Sequence, residues 1–86
     1  MTITVLAVFR ARSQTLDFTF RLQRYGVAVQ TVNTPKEARV GCGLSAKFSS
    51  AALPQAKNIV RSGHYSSFVG FFAVQNQCGR TVFVPL

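Results

Sequence analysis

The 86-residue sequence predicts a ferredoxin-like α+β domain, an antiparallel four-stranded sheet with two helices on one face. Three observations predict it. Short β-branched and aromatic runs alternate with two segments of helical spacing, the order is β-α-β-β-α-β, and turn residues stand at the junctions. Right-handed crossovers then put both helices on the same side of the sheet.

The elements follow in order. Residues 3–9 (ITVLAVF) form an unbroken apolar run, as in a central strand covered on both faces. Residues 13–25 carry two conflicting patterns. Leu16, Phe18, Phe20 and Leu22 alternate as a strand would. Ser13 as N-cap, Asp17 in the first turns, Arg24 near the end and Gly26 just beyond it argue for a helix, the reading adopted. Residues 27–32 (VAVQTV) make the second strand, which Asn33, Thr34 and Pro35 end, and a polar loop runs on to Gly43.

Residues 44–48 (LSAKF) alternate, with Leu44, Ala46 and Phe48 on one face and Ser45 and Lys47 on the other. Ser49 or Ser50 caps the second helix. There Leu53, Ala56, Ile59 and Val60 recur at helical spacing, Pro54 sits in the first turn, and Gly63 closes it. Residues 67–74 (SFVGFFAV) make the fourth strand, in which Gly70 marks a bulge or a close backbone approach. Strict alternation puts Phe68, Phe72 and Val74 on one face and Val69, Phe71 and Ala73 on the other. Residues 1–75 thus form a single domain and residues 76–86 a tail, whose TVFV is long enough for a short extra strand. The fourth strand is an apolar edge that needs covering, by the tail or by a second copy of the chain in a homo-oligomer; both readings stay open.

With 48% hydrophobic and 14% charged residues, the composition is not that of a disordered chain. No apolar run approaches the roughly 18 residues that span a bilayer, so no membrane association is expected. The apolar start lacks a basic leader and a small-residue cleavage site, and reads as a strand. Cys42 and Cys78 are too few for a disulfide framework or a structural zinc site, and free thiols fit a cytoplasmic protein. The net charge of +8, ten Lys and Arg against Asp17 and Glu37, suits an anionic partner or simply a solubilising surface. The cations are spread along the chain and form no basic tail. Those two carboxylates and His64 offer no acid–base pair, and no phosphate loop or dinucleotide fingerprint is present. A carrier or binding protein without cofactor or metal is expected, rather than an enzyme.

The chemically informative stretch is residues 35–47, PKEARVGCGLSAK. Gly41 and Gly43 flank Cys42, letting the backbone turn tightly and leaving the thiol unshielded. Lys36, Arg39 and Lys47 are close in sequence, and cationic surroundings lower a thiol's pKa and populate the reactive thiolate. Such a thiol can accept sulfur or selenium as a persulfide or selenosulfide, or oxidise reversibly. The competing reading makes Cys42 a small apolar plug. Cys78 could serve as a resolving thiol beside the flexible Gly79, or be incidental, and His64 reads as a surface residue ending a helix.

Phe9, Gly26, Pro35-Lys36-Glu37, Cys42-Gly43-Leu44, Lys47-Phe48, Leu53 and Ile59 resemble the small bacterial and archaeal family of putative selenium/sulfur carrier-like proteins. The resemblance covers about residues 4–63, with the spacings from Phe9 to Gly26 and from Gly26 to Cys42 kept without gaps. It implies that Cys42 is the carrier thiol, served by donor and acceptor proteins. The chain departs from the pattern at Ala11, where the family usually has Ser, and at Asn33, where it has a second Pro; it is also more basic. Ser13 and Thr15 are the hydroxyls left near the first loop.

Two other classes compete. RNA-recognition domains of this topology stack bases on aromatics of the first and third strands. LSAKF lacks them, and Phe68, Phe71 and Phe72 fall on the fourth strand, so nucleic acid is not the expected partner, and an RNA-binding domain stays an alternative only. A protein-interaction or assembly module is the remaining alternative.

Overall fold

In the computed structural model, which describes residues 3–34 and 43–86, the described elements are β1 (Thr4–Phe9), α1 (Arg12–Arg24), β2 (Gln30–Asn33), β3 (Leu44–Ser49), a 3₁₀ turn (Ser50–Ala52), α2 (Leu53–Gly63), β4 (Phe68–Gln77) and β5 (Arg80–Pro85). Every neighbouring pair of strands is antiparallel, in the order β2-β3-β1-β4-β5. The first four strands keep the ferredoxin-like order. The sheet has five strands rather than four because β5 pairs with β4 from Phe72 to Gln77. The chain thereby covers the apolar edge that β4 would otherwise present.

The conflicting signals in α1 resolve into two helical stripes. Phe18 and Leu22, four residues apart, are fully buried, while Leu16 and Phe20 point outward at 48% and 60% exposure. Two i,i+4 pairs offset by two residues read as alternation along the sequence. Ser13 does not cap this helix: Ala11 is the N-cap and has no side-chain oxygen to offer. Ser67, 56 residues away, accepts the Ala11 N–H through its hydroxyl at 3.1 Å. Gly26 behaves as expected, at φ +81° with its N–H bonded to the Gln23 carbonyl at 2.9 Å.

Ser49 supplies the cap before α2, its hydroxyl accepting the Ala51 N–H at 3.2 Å, and Pro54 stands in the first turn. At the other end His64, not a glycine, takes the left-handed C-cap conformation, at φ 51°. Gly63 serves a different purpose. A Cβ there would lie 2.7 Å from the Tyr65 ring, so the helix needs glycine for the close approach.

Gly70 adjoins a bulge. Val8 pairs with Gly70 and Phe9 with Phe68, so β4 spends one extra residue between them. The extra residue reverses the alternation, and Phe68 joins Phe71 on the helix face, ring centroids 5.0 Å apart, instead of siding with Phe72 and Val74. The core lies between that face and the helices. It is built from Val5, Ala7 and Phe9 of β1, Phe18 and Leu22 of α1, Ala56 and Ile59 of α2, and Ala46, Phe48 and Phe71 of the flanking strands. On the opposite face Leu6 stands between Lys47 and Phe72, with no described helix above it.

Candidate functional site

The segment carrying Cys42 connects β2 to β3, and the described residues at its two ends, its feet, are tied together. The Thr34 N–H donates to the Gly43 carbonyl at 2.9 Å. The hydroxyls of Thr34 and Ser45 share a hydrogen bond at 2.5 Å, and Asn33 pairs with Leu44 in the ladder below. Gly43 has φ +89°, with nothing within 4 Å of where a Cβ would be, so this glycine answers a backbone requirement and not a crowded one.

The foot also rests on α1. Thr15 is fully buried, and its hydroxyl lies 3.4 Å from both the Ala11 and the Leu44 carbonyl oxygens. That contact anchors the start of β3 to the first turn of α1. Ala11 and Thr15 are therefore occupied in structure, and Ser13 is exposed. Gln14 stitches the same end of the helix to residues 66–67. It accepts from the Ser67 N–H at 3.0 Å and the Ser67 hydroxyl at 2.7 Å, and donates to the Ser66 hydroxyl at 3.0 Å. The first turn of α1 holds no acidic residue, and Arg10 and Arg12 are exposed around it. The foot of the loop thus lies beside a helix N-terminus, whose peptide dipoles favour negative charge.

Of the residues singled out in the sequence, Gly43 and Lys47 are described. Gly41, Cys42, Lys36 and Arg39 lie outside the described residues. Lys47 is exposed on the helix-free face of β3, three residues past Leu44, about 10 Å further along the strand. There it lines a shallow groove with Thr4, Leu6, Val32, Val74 and Phe83. Sequence reasoning missed Thr34 and Ser45 and gave Thr15 only as a hydroxyl near the first loop, although all three build the foot. The near-symmetric placing of Thr34 and Ser45 about the loop was a usable signal; the reach of Thr15 across to Leu44 was not.

Cys78 is exposed and free at the tip of the β4–β5 hairpin. His64 is exposed at the end of α2, as expected. The nearby Tyr65 phenol donates to Asp17 at 2.6 Å, and Asp17 pairs with Arg21 at 3.0 Å. Burial, then the Asp17 hydrogen bond and charge, push the Tyr65 phenol well above its ordinary value. Among the described residues, no three His, Cys, Asp or Glu side chains gather as a metal site would require. No described helix is long and apolar enough to cross a membrane.

The family model described as putative Se/S carrier protein-like matches residues 4–66, a span that includes Cys42 and both feet of its loop. No curated protein and no solved structure matches the chain.

Proposed function

Because the chain belongs to the putative Se/S carrier protein-like family, we propose that it holds a sulfur or selenium atom on Cys42 and passes it to a partner protein in the cytoplasm. The observation that carries this reading is the family match across a glycine-flanked cysteine whose loop has fixed feet. Two residues of extended chain reach at most about 7 Å, so Cys42 is tethered close to Leu44, which Thr15 of α1 anchors. A helix N-terminus and nearby cations favour the thiolate. Arg10 and Arg12 supply such charge at the helix end, Lys36 and Arg39 supply it within the loop, and Lys47 stands further along β3.

The transfer is a thiolate exchange. The Cys42 thiolate attacks the terminal sulfur of a donor persulfide, a new S–S bond forms on Cys42, and the donor leaves as its own thiolate. A perselenide donor delivers selenium in the same way. Release to the acceptor reverses the roles and regenerates the Cys42 thiolate, so the protein needs no turnover of its own.

The test uses a Cys78→Asn variant, in which Cys42 is the one remaining thiol. Alkylation of Cys42 is expected to titrate below the roughly 8.5 of an ordinary cysteine. Incubation with a small persulfide donor should add about 32 Da, one sulfur atom, reversibly by dithiothreitol. An unshifted thiol that takes up no sulfur would make Cys42 structural and leave the protein an interaction module.

A further inference from the structure

The helix layer carries cations that the carrier chemistry does not use. Arg21 and Arg24 on α1 and Lys57 and Arg61 on α2 are all exposed, and Asp17 is the sole carboxylate side chain among the described residues. Asp17 is already engaged by Arg21 and Tyr65. Between the helices, Arg21, Arg24, Tyr25, Ile59 and Ser62 line a cleft of about 520 Å³, within the usual range of ligand-holding clefts. One exposed aromatic ring lines it, and a second lies next to it beneath Arg24. Tyr25 is 69% exposed and Phe20 60%, and the Arg24 guanidinium lies 5.9 Å over the Phe20 ring.

We propose that this cleft binds single-stranded nucleic acid, with Arg24 on the phosphates and unpaired bases stacked on Tyr25 and Phe20. Both cations of the cleft are arginines, whose planar guanidinium matches phosphate oxygens and stacks on rings. A basic groove bordered by exposed aromatic faces is the arrangement that holds a single strand without reading its sequence. An acidic protein surface would satisfy the cations but gives no reason for two exposed rings beside them. A duplex keeps its bases stacked on one another and cannot offer them to Tyr25 or Phe20. The surface is the helix layer, not the sheet face on which RNA-recognition domains stack bases. The inference stands independently of Cys42.

The experiment is fluorescence anisotropy of the full chain with a labelled oligouridylate of about 15 nucleotides. Duplex RNA and oligoglutamate serve as competitors. Log affinity is expected to fall linearly with log salt, and Arg24→Ala should reduce the magnitude of that slope by about 0.7. The Phe20→Ala/Tyr25→Ala double variant should bind at least about 30-fold more weakly with the slope unchanged. Both rings are exposed, and an unaltered melting temperature verifies that the variants fold. Three outcomes overturn the proposal: no binding at low salt, displacement by oligoglutamate as effective as by unlabelled oligouridylate, or a ring variant that binds like the wild type.

Discussion

Tyr65 concentrates more constraints than any residue near it. Its ring packs edge-on against Phe9 at 5.2 Å, lies under Arg21 at 5.8 Å and abuts Gly63, while its hydroxyl is held by Asp17. Two effects oppose each other in Gly63→Ala. The helix gains about 1 kcal/mol from the better helix former, but overpacking against a ring that cannot swing away costs about 1–3 kcal/mol. The clash should win, lowering stability by up to about 2 kcal/mol in urea denaturation. In a Tyr65→Ser background the ring is gone, and the same substitution should stabilise by about 0.5–1 kcal/mol. Equal effects in both backgrounds would refute the account. The phenol makes a separate prediction. Its pKa is raised in the folded state, so the native protein holds this proton where the unfolded chain has released it. The stabilisation is complete below the ordinary phenol value of about 10 and is lost as pH rises through the folded value. The melting temperature of the wild type should therefore fall more steeply above about pH 10 than that of Tyr65→Phe. Parallel curves would remove Tyr65 from the alkaline response.

At the scale of elements, the β4–β5 hairpin shows a cysteine in a conformation that suits it poorly. Gln77 pairs with Arg80, leaving Cys78 and Gly79 as a two-residue turn with φ 52° and +76°. Two successive positive φ angles define a type I′ turn, whose first position favours Asn, Asp or Gly. Cys78→Asn should raise stability by roughly 0.5 kcal/mol, since Asn tolerates the left-handed region better. A lower denaturation midpoint would show that the thiol is held by something other than the turn. Gly79 was legible in the sequence only as a source of mobility; pairing makes it half of a tight turn. The same distinction runs through the fold. β1, β3 and the end of α1 were legible because their signals are local: an apolar run, clean alternation, and Gly26 in the left-handed region. The cap of α1 was not, because its oxygen comes from Ser67 across the domain. Phe68 sat on the wrong face in a strictly alternating reading, because one bulge residue reverses every position before it. The candidate site divides likewise. Gly-Cys-Gly is a local signal, whereas the foot built from Thr15, Thr34, Leu44 and Ser45 exists only once β2, β3 and α1 are assembled.

For the whole molecule, the decisive question is what β5 contributes. The expected boundary between domain and tail, residue 75, lies inside β4, and β5 pairs with six of that strand's residues. A chain ending at residue 75 would lose those ladder bonds and the contact of Phe83 with the helix-free face beside Val74. It would also turn β4 into an apolar edge bearing Phe72 and Val74 on one side and Phe71 and Ala73 on the other. Unpaired apolar edges template association with another chain. An 86-residue domain has little surplus stability to absorb such a loss, since small chains bury a smaller fraction of their surface. The truncated chain should therefore sediment as a dimer or larger species, or melt without a cooperative transition, while the full chain melts cooperatively. A monomeric, cooperatively melting 1–75 fragment would make β5 an accessory strap. It would also mean that the four-stranded ferredoxin-like sheet, with its loop feet at Thr34 and Gly43, is sufficient by itself to hold the candidate site.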